Sequence, residues 1–327
     1  MMIEEGQYPI DAVITWVDGD DPIHRAKREA YITDKKENQH TDVAGETRYR
    51  QVGEIAYCVA SINRFAPWIR KIFIVTDNQS PDIKDFMDRN FPDKQIPIEI
   101  VDHKVIFKGY EQYLPTFNSR AIESFIYRIP KLSEHYVYFN DDLFLLRPMR
   151  PSDFFQNESP IANGYWHLTW TARLLRLLRR KKNGHKTVSF RDSMMNAAKV
   201  LNSSRFIRIV HTPHAFRRSV FEQIYLEYPR LFESNIIHRF RNENQYNVTA
   251  LFYCYSIPKK LSVLSDKKNH YLYLSPGHYT LDEVKNVLID FENNEDAMFC
   301  CFNSMDMASQ EIIDEMELWI KKRLNIK

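Results

Sequence analysis

The sequence predicts an α/β fold with a mostly parallel sheet, extended by helical segments in its second half. Three observations carry that reading. Short apolar runs with strand character recur through the first half, helix-period stripes separate them, and the runs end in polar residues. Strand, helix, strand in this rhythm implies a sheet covered on both faces, with ligands at the carboxyl ends of the strands.

In chain order, the expected strands are Ile10 to Val17 (IDAVITWV), Lys71 to Thr76 (KIFIVT), Ile96 to Val101 (IPIEIV) and His135 to Phe139 (HYVYF). All are rich in β-branched or aromatic side chains, which fit a pleated, buried surface. Between them, Ile55, Val59 and Ile62 mark one helix face before Pro67, and Ile122, Ile126 and Ile129 mark another before Pro130. The segment RLLRLLRRKKNGHK, Arg173 to Lys186, interleaves leucines with arginines and lysines and contains no acid. It reads as a basic amphipathic helix, either solvated with its leucines on the core or docked on an anionic membrane or polyanionic acceptor. From His211 onward the chain reads as largely helical, with stripes at Val248, Leu251, Phe252 and Tyr255 and at Ile312, Ile313, Met316 and Ile320. The expected organisation is an α/β half over residues 1–165, a basic helical insertion over 166–205, and a mainly helical half over 206–327 that packs on the core.

Composition bounds the function. With 327 residues, 44% hydrophobic and 27% charged, the chain has material for a large core. Its 45 basic and 43 acidic residues leave a net charge of +2, so no global field favours nucleic acid. No segment resembles a signal peptide or a membrane span, which predicts a soluble, cytoplasmic protein. Cys58, Cys254, Cys300 and Cys301 form no CxxC pair and read as reduced thiols, mostly in the core. Glycine is scarce, 8 in 327 residues, and neither GxGxxG nor GxxxxGK[ST] occurs. Any phosphate must then be handled by metal or by cationic side chains.

Four stretches could carry chemistry. In YFNDDLFLL, Asp141 and Asp142 interrupt an apolar run at a strand end; two adjacent acids there need a cation, a basic partner or water. With Asn140 they offer the hard oxygen ligands that Mg²⁺ takes when it also holds a diphosphate. The turn TWVDGDDP brings Asp18, Asp20 and Asp21 around Gly19, beside Trp16, which could stack on a base or pack in the core. A third strand end, VTDNQSP, carries Asp77 and Asn78. Either these are ligand-free acidic turns, or three polar strand ends side by side build one cleft. In HTPHAFRR, His211 lies near Arg217 and Arg218 and precedes Arg241, which suits an acid or base working among phosphate-binding cations. A zinc set of His211, His214 and His238 lacks any supporting cysteine or HExxH pattern.

Together these stretches resemble the Stealth family of sugar-phosphate transferases, which includes bacterial capsule polymerases and the lysosomal-enzyme GlcNAc-1-phosphotransferase. The first region is similar to IDAVITWVDGDDP. The second is similar to GEIAYCVASINRFAPWIRKIFIVTDNQSP with LPTFNSRAIESFIYRIPKLSEHYVYFNDDLFL, the third to HTPHAFRRSVFEQIYLEYPRLFESNIIHRFRNE, and a weaker fourth falls at FCCFNSMD.

The resemblance implies a Rossmann-like, glycosyltransferase-A-type core and transfer of a hexose-1-phosphate, such as GlcNAc-1-phosphate, from a UDP-sugar to a glycan or lipid-linked glycan hydroxyl, with release of UMP. It further implies that Trp16, Asp18, Gly19, Asp20, Asp77 and Asn118 belong to the nucleotide-sugar site. Asp141 and Asp142 fall to a Mg²⁺ or Mn²⁺ site, and His211, Arg241 and Glu123 to catalysis. The basic helix then suggests work at the inner membrane surface. Ala56 and Ala60 stand where the family has arginines, and Ser304 stands where it has an aspartate, unless Asp306 substitutes. The rival readings are a metal-dependent glycosyltransferase that releases UDP, and a non-catalytic carbohydrate-binding relative.

Overall fold

The computed structural model describes residues 8–32, 53–170, 190–267 and 270–327. The expected basic helix, residues 173–186, lies outside the described residues. The four expected strands form as β1 (Ile10–Thr15), β2 (Ile72–Thr76), β3 (Ile98–Asp102) and β4 (His135–Asn140). Later strands are β5 (Leu143–Leu145), β6 (Phe155–Gln156), β7 (Ser159–Ala162), β8 (Gly164–Leu168), β9 (Arg205–Ile209), β10 (His214–Arg217), β11 (Val263–Leu264), β12 (Tyr271–Leu274) and β13 (Phe299–Phe302).

The central sheet has the order β10-β4-β1-β2-β3, parallel except for β10. Residues alternate between its faces, as the period of two requires. Ala12, Ile14, Ile72, Ile74, Val137 and Phe139 enter one core, while Val13, Phe73, Val75, Tyr136 and Tyr138 enter the other. Both faces are covered, so the strands read as near-continuous apolar runs. In register, Thr15 lies between Val75 and Asn140, which sets the ends of β2, β1 and β4 side by side.

The helices are α1 (Pro22–Ala30), α2 (Glu54–Phe65), α3 (Lys84–Asn90), α4 (His103–Ile106), α5 (Ser119–Glu123), α6 (Phe190–Val200), α7 (Arg218–Glu227), α8 (Pro229–Ile236), α9 (Val248–Ser256), α10 (Leu281–Glu292) and α11 (Gln310–Leu324). The first core is closed by α2, α10, α11 and a small sheet of order β12-β13-β5; the second by α5 through α9 and β9. All four cysteines are buried and unbridged. Among the described residues, no helix is long and apolar enough to cross a membrane.

Two local expectations differ from the structure. The stripe Ile122, Ile126, Ile129 is buried as expected, but it is built from α5 and a 3₁₀ turn, Ile126–Arg128, rather than one helix. The Arg120 carbonyl accepts the Ser124 hydroxyl at 2.8 Å and the Asn235 amide at 3.0 Å, and such side-chain competition ends regular helix. The segment after His211, read as helical, opens with β10, whose antiparallel pairing to β4 closes one edge of the sheet. Pro213 biases Thr212 away from helical geometry, so a strand can begin immediately afterwards.

Candidate functional site

A cavity of about 410 Å³ opens at the carboxyl ends of β1, β2 and β4. Its lining includes Trp16, Asn118, Glu123, Asp141, Asp142 and Arg241, which sequence reasoning places in a site. The remaining expected residues lie around it. Asp18 follows Trp16 in a turn where its Oδ1 accepts the Asp20 backbone N–H at 2.9 Å, and Gln79 holds its own N–H and carbonyl. Gly19 is buried within that turn, while Asp20 is exposed and faces Arg25 at 3.5 Å. Asp21 caps α1 by accepting from the Ile23 and His24 backbone N–H groups. Part of the acidic turn is therefore structural.

Asp77 is tied to α1, with Nδ1 of His24 at 3.2 Å and Nζ of Lys27 at 3.1 Å. Burial pushes its carboxyl up, but the hydrogen bonds from His24 and Lys27 prevail and hold it at about 2. This strand end thus braces the wall of the cavity, and His24 is the member of the pair that lines it.

The acidic pair is half-buried in the cavity lining. Burial, then the neighbouring Asp142 and Glu54 carboxylates, push Asp141 well above the ordinary range. Burial raises Asp142 too, against hydrogen bonds from Asn303 at 3.2 Å and the Cys301 thiol at 3.5 Å. The other Asp142 oxygen, Oδ1, is buried with no partner. An orphaned carboxylate oxygen beside a second acid suits a hard cation, which satisfies the oxygen and relieves the repulsion. Among the described residues no three His, Cys, Asp or Glu side chains converge as a cage. The donor set is of the kind Mg²⁺ uses when substrate phosphates supply further ligands.

Glu123 and Arg241 line the same cavity. Burial raises the Glu123 carboxyl to about 7, opposed by Arg241, Arg120 and hydrogen bonds from Ser119 and Tyr138. Arg241 donates to the Ser119 hydroxyl at 3.1 Å, so both functional groups are fixed to α5. Asn118 explains how this happens. Its Oδ1 caps α5, while its amide nitrogen has three acceptors at 2.9 Å, the carbonyls of His238 and Phe240 and Gln245 Oε1, among which its two hydrogens are shared. One buried side chain therefore joins the segment bearing Arg241 to the helix bearing Glu123.

His211 borders the cavity through Phe190, whose ring is 5.4 Å from its own, and Tyr273 lies at 4.7 Å on another side. Burial lowers its pKa; Asp142 raises it and Arg208 lowers it. The ring is consequently neutral at neutral pH and able to take a proton. His214 points elsewhere, into the core against Tyr253, where burial drives it to about 3. Sequence reasoning missed Glu54, His24, His103 and Thr116, all in the lining. His103 follows the end of β3, so the rule that polar strand ends form the site could have found it. Asn303, Ser304 and Asp306 also line the cavity, which gives the weak FCCFNSMD match a place. Ala60 is fully buried in α2, and Ala56 packs partly buried against the same core; neither lines the cavity.

Comparison with known proteins places these residues in a family context. Residues 8–36 match the model described as Stealth protein CR1, conserved region 1; residues 48–162 match conserved region 2, and residues 210–257 match conserved region 3. A capsular polysaccharide phosphotransferase of Haemophilus influenzae is 33% identical, over 92% of this chain and 79% of that protein. An exopolysaccharide phosphotransferase of Lactiplantibacillus plantarum is 30% identical, over 95% of this chain and 92% of that one. Another, from Streptomyces coelicolor, is 36% identical over 76% of this chain, which spans only 43% of that relative's length. Among solved structures, the galactosyltransferase LgtC in complex with donor and acceptor sugar analogs overlaps 97% of this chain and 96% of its own, with a TM-score of 0.44 and 8% identity.

Proposed function

The chain belongs to the Stealth family, and from that premise we propose that it transfers a hexose-1-phosphate, such as GlcNAc-1-phosphate, from a UDP-sugar to a glycan hydroxyl. UMP leaves, and the product is a phosphodiester-linked glycan of the capsular or exopolysaccharide kind. The observation that supports this best is the convergence of Asp141, Asp142, Glu123 and Arg241 on one cavity with a neutral His211 at its border. Catalysis of phosphoryl transfer is mostly positioning and charge stabilisation, and these groups supply both.

In this reading the acceptor oxygen attacks the β-phosphorus, the bond from that phosphorus to the UMP oxygen breaks, and the acceptor proton passes to His211. Arg241 would bind the phosphoryl group under attack, with the ionised Glu123 carboxylate orienting the guanidinium. Asn118 would keep that pair in register. Trp16 would flank the nucleotide. Asp141 and Asp142 would hold Mg²⁺ or Mn²⁺, which when bound neutralises the diphosphate and stabilises the leaving oxygen. A nucleotide-sugar donor implies a cytoplasmic reaction, and a glycan or lipid-linked glycan as acceptor.

Incubation with a panel of UDP-sugars, Mg²⁺ and candidate glycan acceptors tests the proposal. UMP is the expected nucleotide product; accumulation of UDP instead would mean glycosyl transfer at the sugar carbon.

A further inference from the structure

We infer that His103 and Thr116 form the base-reading end of the cavity and take the edge of a uracil. The inference rests on the uridine-nucleotide donor proposed above and adds the residues that would select it. His103, the first residue of α4, and Thr116 are each only 2% exposed, and both line the same cavity as the acidic pair. Neither imidazole nitrogen of His103 has a hydrogen-bond partner, nor does the Thr116 hydroxyl. Buried polar groups are nearly always paired, and leaving one orphaned costs about 1–3 kcal/mol. The two ring nitrogens point apart, so one of them together with the Thr116 hydroxyl marks a surface in this lining whose partner arrives with a ligand.

The chemistry of this end separates a base from a phosphate. Most charged lining residues stand on other elements, with Asp141 and Asp142 at the end of β4, Glu54 on α2, Arg120 and Glu123 on α5 and Arg241 before α9, while Asp77, Asp102 and Lys27 are the charges that act on His103. His103 is driven to about 4, by burial first and against the pull of Asp77 and Asp102, so its ring is neutral. A neutral imidazole offers one donor and one acceptor, and a hydroxyl offers either. One imidazole nitrogen and the hydroxyl can meet a neighbouring carbonyl and N–H of a uracil edge, and they bring no charge to balance a phosphate dianion. Val75 and Phe117 add apolar surface in the same lining, suited to the faces of a planar heterocycle. The buried Trp16 Nε1–H is also unpartnered and supplies one more donor.

The test is calorimetric titration of the full chain with UMP, and with ribose 5-phosphate as a probe that lacks the base, both with Mg²⁺ present. Thr116→Val keeps the shape and removes the hydroxyl; His103→Leu removes both nitrogens. Each should weaken UMP binding about 10-fold, the equivalent of one lost hydrogen bond, and leave ribose 5-phosphate binding unchanged. Should His103→Leu fail to fold, Thr116→Val alone decides. Parent-like UMP affinity in the folded variants overturns the base-reading assignment and leaves the donor proposal standing. Equal weakening of both probes also overturns it, by showing a general structural loss. A parent protein that binds ribose 5-phosphate as tightly as UMP overturns both the assignment and the uridine donor.

Discussion

The side-chain amide of Asn303 donates to Asp142 Oδ2 at 3.2 Å and ties the end of β13 to the acidic turn after β4. Cys301 reinforces the tie from inside β13 with a thiol 3.5 Å from the same oxygen. Partners that orient a metal-binding carboxylate typically matter by about 10–100-fold in activity or metal affinity. Asn303→Ala should therefore lower turnover by about that factor and raise the Mg²⁺ concentration needed for half-maximal rate. Turnover measured against Mg²⁺ checks it; a parent-like Mg²⁺ dependence would show that the amide does not position Asp142.

The pH profile should carry the signature of Glu123. Its carboxyl ionises at about 7, because burial outweighs Arg241 and Arg120. If the carboxylate orients Arg241, activity rises with pH through about 7. Glu123→Gln should lower the rate and move the acid limb below the ordinary histidine value, where the burial-lowered His211 becomes the group that titrates. Stability responds with the opposite slope. Between the ordinary 4.5 and about 7 the folded chain holds a proton that the unfolded chain releases, so stability falls as pH rises through that window. Thermal melts of Glu123→Gln should be flatter across it.

Asp77 predicts the reverse dependence. Its carboxyl, held at about 2 instead of 3.8, contributes stability that is fully present above 3.8 and lost as pH falls towards 2. The shift corresponds to about 2 kcal/mol. Asp77→Asn should lose about that much at pH 7 in urea melts, with the difference from the parent closing below pH 4. A deficit that stays constant down to pH 2 would show that the loss is not electrostatic.

The parts legible in the sequence were those written in local periodicity. The four strands of the parallel sheet announce themselves by β-branched runs, and their adjacency follows from alternation with helices, so Asp141, Asp142 and Trp16 fall together at strand ends. Glu123 and the catalytic role of Arg241 came from the family resemblance, and their convergence depends on Asn118, whose three contacts bridge about 120 residues of chain. No local pattern encodes such a bridge. The same holds for Asn303 on Asp142, and for β10, a short strand whose existence is decided by pairing with β4. His103 follows a strand end and so was within reach of the strand-end rule, but its burial without a partner is a property of the folded chain alone. Asp77 followed the strand-end rule, yet α1 brings His24 and Lys27 to it and turns it into a brace.

Metal removal gives the most direct view of the acidic pair. Without a cation, burial raises both carboxyls and Asp142 raises Asp141 further, so binding of a divalent ion should draw both back toward the ionised form and release protons. Calorimetry in buffers of different ionisation enthalpy should accordingly detect proton release when Mg²⁺ is titrated into chelator-treated protein, increasing as the pH is lowered. Chelation should abolish UMP release, and Mg²⁺ or Mn²⁺ should restore it. Asp142→Asn keeps the hydrogen-bonding shape but removes the charge, so it should weaken Mg²⁺ binding at least 10-fold and lose most activity. It should also melt at a higher temperature than the metal-free parent, because a neutral amide carries no charge to bury without a cation. Metal-independent UMP release by the chelated parent would remove the cation from the mechanism and leave Arg241 as the charge that faces the phosphoryl group.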